Sequence, residues 1–282
     1  MFDKGKYLVE VLPYIKKFFN KTIVIKYGGS AMIEEDLKNS FSKDVSLLKY
    51  VGINPIVVHG GGPEIGATLK KLNMESKFHK GLRITDENTM EVVVMVLAGK
   101  INKEIVLKIN KNGAKAVGIS GVDASIVEAK KKLMEDVDLG LVGDVEKINP
   151  SILKHLSEAG YIPVVAPIGV DDEGRRYNIN ADSVASSIAI SLKAEKLIFL
   201  TDSDGVLDKN GNLTSSIPIN KVDELIDNGT ISGGMIPKII SSKEAIVNGV
   251  KKVHIINGKK MHSLLEEIFT QSGIGTEIYE ES

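Results

Sequence analysis

Short apolar runs and longer stretches of helical spacing follow one another along this chain. Runs without a polar interruption are typical of strands that are buried on both faces of a parallel sheet. Between them, apolar residues three and four positions apart are typical of amphipathic helices. The runs lie at 22–26, 55–59, 116–120, 162–167, 197–200 and 253–256. The pattern predicts an α/β fold with a mainly parallel central sheet, in which the β-α-β units are right-handed.

Two of the predicted strands end in glycine-rich loops. The first is followed by Lys26-Tyr-Gly-Gly and the second by His59-Gly-Gly-Gly-Pro. Open α/β sheets bind ligands at the carboxyl ends of their strands, and glycine N–H groups can approach an anion closely. We therefore predict two cradles for anionic ligands. Taken alone, Lys26-Tyr-Gly-Gly is equally compatible with a turn that carries a solvated lysine.

Two standard nucleotide-binding motifs do not fit these loops. A dinucleotide-binding Gly-x-Gly-x-x-Gly would need glycine at position 65, where Ile65 stands, and Gly66 comes one place late. The sequence also has no Gly-x-x-x-x-Gly-Lys-Ser/Thr. A nicotinamide-dependent dehydrogenase is therefore poorly supported, and a P-loop enzyme is excluded.

Polar residues at other predicted loops and helix starts are candidates for a site. Arg83 could pair with a substrate carboxylate, although an arginine in such a loop is more often simply exposed. Asn178, Asn180 and Asp182 cluster where a helix begins, and one of the last two can be a plain helix cap. Lys238 follows a Gly-Gly pair at a helix start, where a positive charge is unfavourable unless an anion balances it.

Two other segments have a predicted place in the fold. Residues 125–129 and 141–148 alternate like a small hairpin, which could form a lid over a substrate. Residues 1–20 are interrupted by charges and by Pro13, so they do not resemble a secretory signal. They predict an amphipathic helix, kinked or restarted at Pro13, that packs on its own domain or against another subunit. Its apolar face comprises Leu8, Val11, Ile15, Phe18 and Phe19.

Composition narrows the class of protein. A length of 282 residues predicts one or two domains, and we expect two lobes that share one sheet. The formal net charge of -1 gives no basic field for nucleic acid and no polybasic anchor for a membrane. The absence of cysteine excludes disulfides, thiolate catalysis and cysteine metal sites. We expect a cytoplasmic protein whose partners are small molecules or protein.

Six motifs, in order along nearly the whole chain, closely resemble those of the N-acetylglutamate kinases of the amino-acid kinase family. They are Lys26-Tyr-Gly-Gly, His59-Gly-Gly-Gly-Pro, Arg83-Ile-Thr-Asp, Tyr177-Asn-Ile-Asn-Ala-Asp182, Thr201-Asp-Ser-Asp-Gly-Val and Gly233-Gly-Met-Ile-Pro-Lys238. The resemblance implies a three-layer αβα sandwich with two lobes. Residues 1–20 would form an oligomerisation helix, 21–177 a lobe for N-acetylglutamate, and 178–282 a lobe for ATP and arginine.

The resemblance also implies an activity: phosphorylation of the γ-carboxylate of N-acetyl-L-glutamate by ATP with Mg2+, the second step of arginine biosynthesis. Lys26 and Lys238 would stabilise the transferring phosphoryl group, and Asp182 would hold both lysines. The residues implied for N-acetylglutamate are Gly61, Gly62, Arg83 and Asn178. Those implied for ATP are Gly28, Gly29, Thr201, Asp202, Asp204, Gly233, Gly234 and Met235.

The implied chemistry needs no general base. A γ-carboxyl group with a pKa of about 4.3 is already ionised at neutral pH. Catalysis then depends on positioning and on spreading charge from the phosphoryl group. Mg2+ could be held by ATP phosphates and water without a dedicated protein metal site. We interpret His59 and the other four histidines as structural.

The two ends of the chain resemble the arginine-inhibited, hexameric branch of these kinases. This implies a homohexamer built through the N-terminal helix, with feedback inhibition by arginine. The residues implied for the inhibitor are Lys196, His254, Glu266, Glu267 and Gly275. Asn257-Gly-Lys-Lys260 departs from the more glycine-rich version of that branch, which leaves the details of the site open. A PII-type protein is a further candidate partner.

Related kinases and a non-enzyme remain as alternatives. Aspartokinase is expected to append a regulatory domain and glutamate 5-kinase an RNA-binding-like domain, for which this chain ends too soon. Uridylate and carbamate kinases share the lysine and glycine motifs but not the pair Arg83 and Asn178. A carboxylate kinase with another amino-acid substrate stays open. So does a catalytically silent arginine sensor or scaffold, although the presence of both lysines argues against it.

Overall fold

The computed structural model describes residues 4–271 and 273–281. The helices are α1 (Lys4–Phe18), α2 (Glu35–Tyr50), α3 (Gly62–Lys71), α4 (Glu87–Val94), α5 (Asn102–Lys111), α6 (Ser151–Glu158), α7 (Ala181–Ser191), α8 (Val222–Asp227), α9 (Met235–Val247) and α10 (Ser263–Phe269). The strands are β1 (Thr22–Tyr27), β2 (Asn54–His59), β3 (Phe78–His79), β4 (Leu82–Arg83), β5 (Ala116–Ser120), β6 (Val127–Lys131), β7 (Val142–Ile148), β8 (Ile162–Ala166), β9 (Ile168–Val170), β10 (Arg176–Ile179), β11 (Lys196–Thr201), β12 (Ser216–Pro218), β13 (Val253–Asn257) and β14 (Thr276–Tyr279).

Eight strands form the central sheet, in the order β12-β14-β13-β11-β1-β2-β8-β5. All neighbours pair in parallel except β13 and β14, which are antiparallel. This confirms the predicted α/β class and the mainly parallel sheet. β1 lies in the middle, with β2 on one side and β11 on the other. The residues after β1 therefore sit where the two halves of the sheet meet.

Helices cover both faces of the sheet, which confirms the three-layer sandwich. Alternate residues of β1 point to opposite faces. Ile23, Ile25 and Tyr27 belong to a core shared with α2 and α5, whereas Val24 belongs to a second core shared with α7 and α9. Lys26 is in phase with Val24, so its side chain is directed to the face that carries α7 and α9.

The predicted hairpin is part of a smaller, four-stranded sheet. β6 and β7 pair in antiparallel register, as expected for residues 125–129 and 141–148. β9 and β10 join them, and the four strands close on one another in the order β10-β7-β6-β9. Closure through β9 and β10 was not predicted, because strands this short leave little signal in the sequence.

The N-terminal helix is continuous across Pro13 and ends at Phe18. Val11 and Ile15 pack against the core and Phe18 is buried, as predicted. Phe19 departs from the predicted face: it lies after the helix, is 55% exposed and approaches Gly52. The side chain of Leu8 lies outside the described residues. Within the described part of the chain, no helix is long and apolar enough to cross a membrane.

Candidate active site

A cleft of about 330 Å³ lies at the carboxyl ends of the central strands. Seven residues that the resemblance implicates in catalysis or in N-acetylglutamate binding line it together: Lys26, Gly61, Gly62, Arg83, Asn178, Asp182 and Lys238. They come from β1, the loop after β2, the start of α3, β4, β10, α7 and α9. The fold thus gathers into one cleft residues that are separated by more than two hundred positions in the sequence.

Two lysines share one buried carboxylate at the base of this cleft. Lys26 Nζ lies 2.9 Å from Asp182 Oδ1, and Lys238 Nζ lies 2.7 Å from Asp182 Oδ2. The Lys238 contact is also a hydrogen bond, whereas the Lys26 contact is an ion pair without hydrogen-bond alignment, so Oδ1 accepts no hydrogen bond. Burial raises the pKa of Asp182, but the two ammonium groups outweigh burial and hold that pKa below its usual value.

Local sequence explains why these three side chains meet. Asn180 caps α7, and its side chain accepts a hydrogen bond from the Asp182 N–H at 2.7 Å. Asn180 is therefore the cap, which leaves the Asp182 side chain free for the lysines. α7 packs on β1 and against α9, and Lys238 lies in the first turn of α9. Two ammonium groups and one carboxylate leave this trio with one formal positive charge, as expected for a place that receives an anion.

Arg83 is a buried cation on the wall of the same cleft. Its residue is 8% exposed, and burial lowers the pKa of its guanidinium. It donates to Ser76 Oγ and, at 2.9 Å, to the Gly62 carbonyl oxygen. The guanidinium carbon stands 4.6 Å from the centre of the Phe78 ring. No carboxylate pairs with it among the described residues, so an anionic ligand could supply the missing charge.

Asn178 lines the same cleft as Arg83. Its Nδ2 donates to Thr85 Oγ1 at 3.3 Å, and its backbone N–H donates to the Leu141 carbonyl oxygen. Because an amide carries two donor hydrogens and a carbonyl oxygen, this leaves Asn178 with capacity to bind a ligand in the cleft.

The first glycine loop contacts the opposite half of the sheet. Gly29 has φ +71, and a Cβ there would lie 2.7 Å from Asp202 Oδ1. The same oxygen accepts a hydrogen bond from Ser30 N–H at 2.7 Å. A Cβ on Gly28 would lie 2.6 Å from Lys26 Nζ. The positive φ of Gly29 favours glycine in the loop, and a side chain at Gly28 would displace the Lys26 ammonium group.

The residues implied for ATP lie at the carboxyl end of β11 and at the start of α9. Thr201 ends β11, and Asp202 is exposed just after it. Asp204 accepts hydrogen bonds from Lys260 and from Asn257, which lower the pKa of its carboxyl group. Gly233 has φ +54, Gly234 precedes α9 and Met235 begins it.

A second cavity of about 300 Å³ lies between α1 and the second half of the sheet. Lys196, His254, Glu267 and Gly275 line it, as do Tyr14 and Phe18 of α1. His254 Nδ1 lies 2.5 Å from Glu267 Oε1, and His254 Nε2 lies 3.1 Å from Lys196 Nζ. Burial lowers the pKa of both His254 and Lys196. Glu266 is not among the residues that line this cavity, and its side chain is exposed.

Some contacts of these sites could not be found from motifs. Phe18 was predicted to lie on the apolar face of the N-terminal helix but not to form the wall of a cavity, and Tyr14 was not singled out. Phe78 and Ser76 lie close to Arg83 along the chain, but nothing in their spacing reveals the contacts that they make with its guanidinium. The hydrogen bond of Asp202 to the Lys26 loop joins residues that are 172 positions apart.

The sequence profile of the amino acid kinase family matches residues 21–257. A protein named acetylglutamate kinase from Nitrosomonas eutropha is 54% identical over 286 residues, which cover 99% of this chain and 97% of the relative.

Two solved structures of N-acetylglutamate synthase from Neisseria gonorrhoeae also superpose on the whole chain. The complex with coenzyme A and N-acetylglutamate has a TM-score of 0.90 and 27% identity, and this chain spans 64% of that protein. The complex with coenzyme A and L-arginine has a TM-score of 0.84 and 26% identity, with 66% of that protein spanned.

Proposed function

The chain belongs to the acetylglutamate kinases of the amino acid kinase family, and from this membership we propose how its cleft acts. The enzyme transfers the γ-phosphoryl group of ATP to the γ-carboxylate of N-acetyl-L-glutamate, which gives N-acetyl-L-glutamyl 5-phosphate and ADP. The observation that carries the proposed roles is the pair of lysines on Asp182, in the same cleft as an arginine without a carboxylate partner.

N-acetylglutamate binds in the half of the cleft that contains Arg83 and Asn178. The Arg83 guanidinium takes the α-carboxylate, since it is buried, forked and held toward the cleft by Ser76 and Gly62. The Asn178 amide adds a polar contact, and the N–H groups of Gly61 and Gly62 face the γ-carboxylate. This places the nucleophilic oxygen beside Lys26 and Lys238.

Phosphoryl transfer forms a bond between the carboxylate oxygen and the γ-phosphorus, while the bond from that phosphorus to the β-phosphate oxygen breaks and its electron pair stays on ADP. Lys26 and Lys238 donate to the oxygens of the transferring group, where negative charge is spread in the transition state. Asp182 does not touch that group; it keeps the two ammonium groups in place. The nucleophile is already ionised, so no residue removes a proton.

ATP lies across the second half of the sheet. Gly28 and Gly29, together with the segments 201–204 and 233–235, form its binding surface in this proposal. Mg2+ bound together with ATP would supply neutralisation of the phosphate charge. No protein side chain is assigned to the cation, which phosphate and water oxygens would hold.

Feedback inhibition by arginine is a second part of the proposal. The cavity between α1 and the second half of the sheet offers a carboxylate at Glu267 for a guanidinium and an ammonium at Lys196 for a carboxylate. The synthase with which this chain superposes has been solved with L-arginine. A homohexamer through α1, a PII-type partner and a cytoplasmic location complete the proposal. The exposed Val9 and Leu12 on α1 support the first of these.

The test is trapping of the acyl phosphate with hydroxylamine. Purified protein is given MgATP with N-acetylglutamate, glutamate or aspartate, and the hydroxamate is measured. Product with N-acetylglutamate alone supports the proposed reaction and substrate. Product with another acceptor would keep the chemistry and change the substrate, and no product with any acceptor would favour the arginine sensor.

A further inference from the structure

The fully buried His59 is the strongest feature that the proposed mechanism leaves without a role. It ends β2 directly before the Gly60-Gly61-Gly62 loop, and its exposure is 0%. In β2 it is in phase with Val57, so it points to the face that carries α5 rather than into the cleft. Burial lowers its pKa to about 4, so the ring is neutral at physiological pH and one nitrogen carries a proton.

Neighbouring groups determine which nitrogen that is. Asn102, at the start of α5 and also 0% exposed, has its Nδ2 within 2.9 Å of the Val164 carbonyl oxygen and 3.2 Å of the Ile119 carbonyl oxygen. Carbonyl oxygens only accept, so this end of the amide must be the NH2 donor. The other end, Oδ1, accepts from Lys103 Nζ at 3.1 Å. The amide orientation is therefore fixed by three independent partners.

This orientation sets the tautomer of His59. The two hydrogens of Asn102 Nδ2 already serve two carbonyl oxygens, so its 3.3 Å approach to His59 Nε2 is a shared, weaker contact, but a donor group at that place disfavours a proton on Nε2. The proton is then on Nδ1, which lies 2.8 Å from the Gly60 carbonyl oxygen. His59 thus donates Nδ1–H to that oxygen. Gly118 makes room for the arrangement, because a Cβ there would fall 1.9 Å from Asn102 Oδ1.

The Gly60 carbonyl oxygen belongs to the same peptide unit as the Gly61 N–H. In a planar trans peptide these two groups point in opposite directions. With the oxygen held against His59, away from the cleft, the Gly61 N–H is directed toward the cleft. The Gly60 N–H is fixed as well, by the Tyr27 carbonyl oxygen at 2.8 Å. A peptide between two glycines is otherwise unusually free to rotate, because neither side carries a Cβ.

We propose that His59 is a positioning residue, which locks the Gly60–Gly61 peptide so that the Gly61 N–H points at the phosphoryl-transfer site. The inference deepens the proposed function and rests on it for the role of that N–H. Without the lock, the peptide rotates and the cleft loses one preorganised donor. Loss of one such donor lowers turnover in other enzymes by about 100- to 1000-fold.

The decisive kinetic experiment compares two substitutions at the same position. His59→Leu keeps apolar bulk and removes the donor, while Asn102 stays satisfied by its two carbonyl partners. His59→Asn places an amide NH2 where Nδ1 stood. We expect His59→Leu to lower kcat by about 10- to 100-fold, with the KM of both substrates within about threefold, and His59→Asn to recover most of kcat. His155→Leu, an exposed change of the same kind, should match the wild type.

Several results would overturn this role. They are an unchanged kcat in His59→Leu, a loss confined to KM, and a His59→Asn variant that folds but is as slow as His59→Leu. If the wild type itself forms no acyl phosphate, the proposed function fails instead, and the tautomer can still be tested. Nitrogen-15 NMR of the histidine-labelled wild type should show a neutral ring protonated at Nδ1, even if His59→Leu does not fold. Protonation at Nε2 would mean that Nδ1 cannot donate to the Gly60 carbonyl oxygen, and the proposed role would be wrong.

Discussion

At the scale of single residues, the site depends on one carboxylate, Asp182, that pairs with the ammonium groups of Lys26 and Lys238. Asp182 is 5% exposed and faces two ammonium groups. Its depressed pKa means that its carboxylate stabilises the fold above about pH 4, the value of an unperturbed aspartate. That stabilisation is lost as pH falls below this value through the folded pKa. Asp182 therefore supports both the structure and the chemistry at neutral pH.

Lys238→Ala separates the chemical role from the structural one. The change removes an ammonium group from the proposed transition-state contacts and leaves Asp182 paired with Lys26, so we expect kcat to fall by about 100-fold or more with cooperative unfolding retained. Steady-state kinetics and thermal unfolding measure the two effects. Lys243→Ala is the matched control on the same helix, because Lys243 pairs with the exposed Asp223. A Lys238→Ala enzyme with near-normal kcat would refute the assignment.

Arg83→Lys tests substrate binding without removing the charge. A lysine cannot reproduce the forked contact with a carboxylate, so we expect the KM for N-acetylglutamate to rise about tenfold or more while kcat changes less. Arg175→Lys is the control, since Arg175 is an exposed arginine paired with Asp171 and Glu173. An equal loss in kcat and no change in KM would place Arg83 at the reacting group instead.

Residue roles were predictable from the sequence only where a motif carried them. Lys26, Asp182 and Lys238 stand in recognisable motifs, and the structure brings each lysine within 3 Å of the Asp182 carboxylate as an ion pair. His59 was interpreted as structural because the implied chemistry needs no general base. Its contacts come from Asn102, which is 43 positions away. The alternation of side chains along β2 could have predicted that His59 points toward α5. It could not have predicted that Asn102 is the side chain in contact with it.

At the scale of elements, prediction succeeded where one physical signal was strong. The central strands were identified because a strand buried on both faces must be apolar throughout. β9 and β10 were missed, since three or four residues cannot show a period. Apolar residues from Met90 to Ile101 recur at helical spacing, but residues Met95–Ile101 are wound as a π-helix between α4 and α5. Leu97 and Ile101 of this segment lie where a Cβ on Gly61 would fall, which no helical periodicity reveals.

The helix α1 should be separable from catalysis. It contributes Tyr14 and Phe18 to the cavity proposed for arginine and none of the residues that line the N-acetylglutamate cleft. We expect deletion of residues 1–17 to abolish both hexamers and arginine inhibition and to spare turnover measured without arginine. Light scattering and inhibition curves test this. A deletion variant that remains hexameric would contradict the assembly role.

At the scale of the whole molecule, the two halves are joined by more than the shared sheet. α2 belongs to the first half and α10 to the second, and they meet through His262, which precedes α10. His262 Nδ1 lies 2.5 Å from Asp44 Oδ1, and its backbone N–H donates to Ser40 Oγ at 2.8 Å. Asp44 is 2% exposed. Burial raises the pKa of Asp44 to about 6, although the hydrogen bond and charge of His262 lower it.

This pair makes the stability of the joined molecule depend on pH with a definite sign. An aspartate in the unfolded chain has a pKa of about 3.9, so between that value and about 6 the folded state holds a proton that the unfolded state has lost. Stability from Asp44 is then highest below pH 4 and falls as pH rises toward 6. The asparagine of Asp44→Asn cannot ionise, so the variant does not lose stability in this way as pH rises. We expect its melting temperature, relative to the wild type, to rise from pH 4 to pH 7.

Asp204→Asn provides a control of opposite sign. Hydrogen bonds from Lys260 and Asn257 lower the pKa of Asp204, so its carboxylate stabilises the fold at neutral pH and stops doing so as pH falls below about 4. The Asp204→Asn variant should therefore be less stable than the wild type at pH 7 and approach it in acid. Parallel thermal melts of the three proteins from pH 4 to pH 7.5 cancel the titration of all other groups. A constant difference for Asp44→Asn would show that Asp44 ionises normally, and that the contact between α2 and α10 does not respond to pH through this carboxylate.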